Sequence, residues 1–156
     1  MHTHVKLLGA LLLLVSVAFP MSTCSHYEDA EGNRVKVAEG ETPPEGLTEV
    51  IDDDYAFEDF DTGDLGDWVR VLAFGWPIVA VAILYRHKRS RSVVVVRVLE
   101  PPLIVGSICV VDFLSTFFAD HRASGAYLAF LALGIYAIAT LWADVVLWQE
   151  RKARRT

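Results

Sequence analysis

Three long apolar runs decide what this chain of 156 residues can fold into. They occupy 68–85, 103–119 and 125–148. A helix needs roughly 20 apolar residues to cross the hydrocarbon core of a bilayer, and each run comes close to that or exceeds it. A soluble domain spreads its apolar residues along one stripe of each helix. Here they are gathered into blocks, with the charges pushed between them. The pattern predicts an all-α membrane protein: a three-helix transmembrane bundle after an N-terminal signal or anchor helix, with a disordered acidic extracytoplasmic segment. The expected domains are 1–24 (signal or anchor), 25–67 (acidic), 68–148 (membrane) and 149–156 (basic cytoplasmic tail).

Charge is segregated as sharply as hydropathy. The formal net charge of −6 describes neither half of the chain. Residues 25–67 hold fifteen acids against two bases, Arg34 and Lys36, which gives −13. From Trp68 onward eleven bases oppose five acids, which gives +6. Those bases flank apolar runs and form no stripe of their own, so they are not a nucleic-acid footprint. Arg86-His87-Lys88-Arg89-Ser90-Arg91 and the tail QERKARRT both read as cytoplasmic by the positive-inside rule. The acidic segment then lies on the other side. Basic residues of the tail are suited to anionic lipid headgroups.

Residues 1–24 have the plan of an export signal. Lys6 gives a basic start, 7–19 is an apolar core, and Pro20 ends it. Met21-Ser22-Thr23-Cys24 resembles a bacterial lipoprotein box, with Thr23 where that family usually has Gly, Ala or Ser. The resemblance implies cleavage before Cys24 and acylation of its thiol. Ordinary signal cleavage and an uncleaved anchor remain open beside it. All three routes put the acidic segment outside the cytoplasm. Cys24 and Cys109 lie in such different surroundings that no disulfide between them is expected.

Between Glu28 and Asp54 the apolar residues are few: Val35, Val37, Leu47, Val50 and Ile51. That is too little to offset the entropy of ordering, so the segment is expected to be disordered, apart from a brief strand near 34–38. The stretch Asp52-Asp53-Asp54-Tyr-Ala-Phe-Glu-Asp59-Phe-Asp61-Thr-Gly63-Asp64 invites comparison with a calcium loop. Counted from Asp59, glycine stands at the fifth position and Arg70 at the twelfth. The loop pattern requires glycine at the sixth and glutamate at the twelfth, so a solvated acidic run is the preferred reading. Such a run suits a basic protein partner.

Within the first span, Pro77 removes an N–H and frees the carbonyl of Ala73, which in lipid needs another donor. Trp68 and Tyr85 stand where interfacial aromatics belong. Residues 92–100 (SVVVVRVLE) read as an interfacial helix in which Arg97 and Glu100 share a face, with the next span starting near Pro102. One long span from Val93 is the alternative. The third span is rich in small residues, among them Gly125, Ala126, Ala129 and Ala132, which allow close helix approach.

Asp112 sits about 13 Å into the central span if that span begins at Leu103. Matching depths on the other spans select Trp76 and Thr140 as donors, so Asp112 is expected to be neutral and hydrogen-bonded. Asp144 lies near the basic end, within reach of Arg97, Arg151 or Lys152. Ser107, Ser115 and Thr116 are expected to bond to carbonyls of their own helix. His87 and His121 fall in loops. No nucleophile–base pair, paired carboxylates, metal-ligand spacing or phosphate loop is recognisable, so no enzyme activity and no cofactor is implied. The leading expectation is a non-enzymatic envelope protein, either a partner subunit or a scaffold. The alternative is a small transport or proton-coupling subunit centred on Asp112.

Overall fold

The computed structural model describes the chain except residues 1, 36, 38–42, 45, 58–60, 87–90, 118–120 and 154–156. Four helices carry the fold. They are α1 (His2–Ser16), α2 (Leu65–Arg86), α3 (Arg91–Thr116) and α4 (Ser124–Ala153). Between α1 and α2 run the strands β1 (Ser22–Glu28), β2 (Arg34–Val35) and β3 (Thr48–Asp54). The short β4 (His121–Arg122) links α3 to α4.

Three of the helices are long and apolar enough to cross a membrane: Leu65–Arg86, Val93–Thr116 and Ser124–Glu150. Their apolar side chains point outward as well as inward. Val79, Val105, Ile138 and Leu141 are each more than half exposed, an arrangement compatible with a multi-pass membrane protein. α2 begins where the sequence gives it a cap. Asp64 Oδ1 accepts the N–H of Gly66 at 2.8 Å, and Asp67, in the first turn, accepts the N–H of Asp61 and pairs with Arg70 at 3.0 Å.

The helices form a ring in which α1 touches α4 and α2, and α3 touches α2 and α4. The most extensive of these contacts is α1 against α4. The small residues of α4 explain it. Ala126, Ala129 and Ala132 are fully or almost fully buried, and Leu13 of α1 and Leu133 close the same core. Gly9 of α1 lies so close that an added Cβ would stand 3.0 Å from the carbonyl oxygen of Ala132. The helix expected to be a signal or an uncleaved anchor is therefore packed into the bundle as its fourth member.

The central helix also differs from expectation. The predicted interfacial helix at 92–100 and the span at 103–119 are one helix, α3, running through Pro101 and Pro102. The apolar span accordingly starts at Val93 and ends at Thr116. Glu100, directly before the prolines, has its carboxylate held inside the bundle, which ties this part of α3 to α1 and α4.

A third difference concerns the acidic segment. Among its described residues, where disorder was the expectation, β1 and β3 pair antiparallel along seven residues, from Ser22↔Asp54 to Glu28↔Thr48. β2 and β4 pair with the other edge of β1, at Tyr27↔Val35 and Ser22↔Arg122. The sheet needs little apolar surface of its own because it is rooted in the bundle. The Met21 N–H donates to the Asp54 carbonyl at 2.7 Å, Ala123 N–H to Met21 at 3.1 Å, and Gly125 N–H to Pro20 at 2.8 Å. Met21 and Ser22 are buried there. The sharp turn between β1 and β2 uses Gly32 at φ 81°, a left-handed conformation that glycine adopts without steric cost.

Candidate functional site: a buried ion pair joining α1, α3 and α4

The one intramembrane acid that the sequence draws attention to is not at the centre. Asp112 is half exposed and pairs with Arg122 of β4 at 2.5 Å. It meets neither Trp76 nor Thr140. Thr140 bonds to the carbonyl of Tyr136 in its own helix at 3.0 Å. The misplacement has a simple cause. With α3 ending at Thr116, Asp112 lies only one turn from the sheet end of the bundle, about 6 Å by helical rise. There the cation of β4 is at hand. Ser115 and Thr116 donate to the Asp112 carbonyl, as expected of such residues.

Glu100 takes the position expected of Asp112. Its side chain is fully buried and receives Lys6 Nζ on both oxygens, at 2.7 and 2.6 Å. Lys6 is 3% exposed. The Tyr136 hydroxyl donates to Glu100 Oε1 at 2.9 Å, and Lys6 Nζ lies 5.4 Å from the Tyr136 ring centroid. The pair thus joins three helices, with one partner on each of α1 and α3 and the tyrosine on α4. A buried charge without a partner is very unfavourable, and this one has an opposite charge, a hydroxyl donor and a ring face. Glu100 does not pair with Arg97, as the shared helix face would suggest. Arg97 turns instead to Asp144, at 3.9 Å and partly exposed.

A second polar cluster adjoins the first. Trp76 and Tyr136 meet edge to face, with ring centroids 5.3 Å apart. Trp76 Nε1–H donates to Ser107 Oγ at 2.8 Å, and Ser107 Oγ–H donates to the carbonyl of Ala73 at 2.8 Å. That carbonyl is the one Pro77 cannot serve, four residues on. Its need for a donor is legible in the sequence, but the donor is on α3, whereas Ser107 was expected to bond within its own helix. Pro77 therefore requires no break in α2.

The other sequence candidates are not drawn together. Cys24 lies in the middle of β1, opposite Asp52 of β3, and is partly buried. Asp61 and Asp64 accept N–H groups from Gly63 and Gly66 in local turns. Among the described residues no group of three or more His, Cys, Asp or Glu is placed to hold a metal ion. Asp59, the first residue of the calcium-loop comparison, and His87 lie outside the described residues.

Lys6 and Glu100 are 94 residues apart, and no local pattern links them. One signal was available: Lys6 is a lone charge in an apolar stretch, and a charge held among apolar residues needs an opposite charge from elsewhere in the chain. Together, helices and site define a helical protein with three potential membrane spans, a fourth short apolar helix and a buried polar cluster within an apolar core. Comparison with protein families, curated proteins and solved structures gives no match to this chain.

Proposed function

We propose that the protein is a non-enzymatic membrane subunit or scaffold that holds an acidic sheet at the extracytoplasmic face for a basic partner. The observation that carries this reading is β3. It is an edge strand that presents Glu49, Asp53 and Asp54 exposed, together with Ile51 at 66% exposure. The sheet is tied to the bundle by the backbone bonds of Met21 and Ala123. A carboxylate row on a rigid mount favours fast, salt-sensitive recognition of a cationic surface.

The topology supports the same reading. Arg86 closes α2, Arg91 opens α3 and α4 ends at Ala153 on the same side of the bundle, so the positive-inside rule assigns that end to the cytoplasm. The sheet then lies outside, in a cell envelope of bacterial type. Lipids are the surroundings of α2, α3 and α4. Coupling through Asp112 is not favoured, because its carboxylate is paired at the surface.

The test is affinity purification of the full chain in mild detergent, at low and high salt. The reading predicts a partner of basic charge that is released by salt and is lost on Glu49→Lys/Asp53→Lys with the helical content unchanged. A monomer at every salt concentration, or a partner retained by the charge-reversed sheet, contradicts it.

A further inference from the structure

The first helix has the composition of an export signal, and the chain has a lipoprotein-like box behind it. The structure uses the same residues for another purpose. We propose that α1 is a permanent fourth helix of the folded protein, latched by the Lys6–Glu100 ion pair, and is not removed on export. This inference is independent of the function proposed above.

Three separate observations carry it. First, Lys6 is the cation that a buried Glu100 needs. If the chain began at Cys24, Glu100 would keep only the Tyr136 hydroxyl inside the bundle. Charged side chains at membrane depth are held by partners, and this removal would take away the only opposite charge recorded on the carboxylate among the described residues.

Second, α1 fills the groove that the small residues of α4 create. Ala126, Ala129 and Ala132 are buried in one core with Leu13, 1% exposed, and Ala10, 0% exposed, is buried in the second core with Trp76 and Tyr136. A Cβ added at Gly9 would stand 3.0 Å from the carbonyl oxygen of Ala132 and 3.1 Å from the backbone nitrogen of Tyr136. Without α1 this face of α4 loses the helix that makes its most extensive contact.

Third, the proposed cleavage point lies inside the sheet. Thr23 is paired on both sides, with Asp53 of β3 and His121 of β4. Cleavage before Cys24 would remove Met21 and Ser22 as well, and with them the backbone bonds from Met21 to Asp54 and from Ala123 to Met21. A signal peptide normally ends in a segment that the mature domain does not need. This one ends in residues that root the mature domain.

Retention also settles direction. His4 meets the Tyr85 hydroxyl at 3.1 Å, so the N-terminus lies at the same end of the bundle as Arg86. By the charge rule both chain ends are then cytoplasmic.

The experiment is the intact mass of the full chain with a C-terminal tag, purified from bacterial membranes. The expected mass retains all of α1, His2–Ser16, together with the residues that follow it. A mass beginning at or beyond residue 17, acylated or not, overturns the proposal. Lys6→Met provides a second reading on the same preparation, because a removed residue cannot matter to the purified protein. The expected result is a lower melting temperature in detergent than wild type. An unchanged melting temperature overturns the latch. Neither measurement involves the basic partner, so failure here is distinct from failure of the functional reading.

Discussion

Gly125→Ala is a small change whose sign depends on whether α1 is present. Gly125 is the second residue of α4. An added Cβ there would stand 2.6 Å from the Phe19 carbonyl oxygen, 2.7 Å from that of Pro20 and 3.0 Å from the Phe19 carbonyl carbon. All three are backbone atoms, so no side chain can swing aside. The connection from α1 to β1 must move off the start of α4, and the Gly125 N–H bond to Pro20, now 2.8 Å, is stretched or broken. Overpacking of this kind costs about 1–3 kcal/mol, and the hydrogen bond adds about 1 kcal/mol. Replacing glycine by alanine in a helix returns at most about 1 kcal/mol. The net expectation is a destabilisation of about 1–3 kcal/mol. Loss of helical circular dichroism on heating, in mild detergent, measures it on the full chain. With residues 1–20 gone, the three backbone atoms nearest the added Cβ are removed and alanine would be neutral or mildly stabilising. A variant as stable as wild type, or more stable, would refute the packing described here.

Four further outcomes follow from the same contacts. Ser107→Ala leaves both the Trp76 indole N–H and the Ala73 carbonyl without their shared partner, at a cost of about 1 kcal/mol in detergent melting; Pro77→Ala in the same chain restores a backbone donor to Ala73 and should recover part of the loss. Asp112→Asn should change melting by less than about 0.5 kcal/mol, because an exposed ion pair contributes little, whereas Glu100→Gln should cost several times more. The β1–β2 turn should loosen in acid. The backbone N–H of Asn33 and then its side-chain amide hold the Asp29 carboxyl below its ordinary 3.8, so the folded turn favours the ionised form. Its contribution is present at neutral pH and is lost as pH falls through that depressed value, which amide exchange at Asn33 followed against pH will report. Charge reversal at Glu49 and Asp53 should abolish salt-sensitive partner binding without changing helical content.

The three spans were readable in the sequence because hydropathy over 20 residues is a strong signal and needs no knowledge of neighbours. Their polar interior was not readable. Counting depth from Leu103 assumed that Pro101 and Pro102 start a helix; in fact α3 begins ten residues or so earlier, and every depth measured from its start moves with it. That error put Asp112 at the centre and left Glu100 at the interface. The sheet was missed for a different reason. An apolar count over 25–67 treats the segment as standing alone, but its first strand begins at Ser22 and is anchored by Met21, residues that had been assigned to the signal. Lys6 was read as the basic start of a signal, a reading its local sequence fully supports. Only the fold brings it to Glu100. The orphan carbonyl of Ala73 shows the middle case: Pro77 made the need visible, while the donor, Ser107, is 34 residues away on another helix.

The central claim is that a buried ion pair makes α1 part of the bundle, and a double-mutant cycle on Lys6→Met and Glu100→Leu tests it most directly. Either single change leaves one buried charge without its partner and should cost about 3–5 kcal/mol, while removing both partners should cost much less than the sum. Melting of the four full-length proteins in the same detergent gives the coupling. The account predicts a coupling of about 2 kcal/mol or more, with the double variant more stable than at least one single variant. A Lys6→Met protein that melts with wild type, or single effects that simply add, would contradict it.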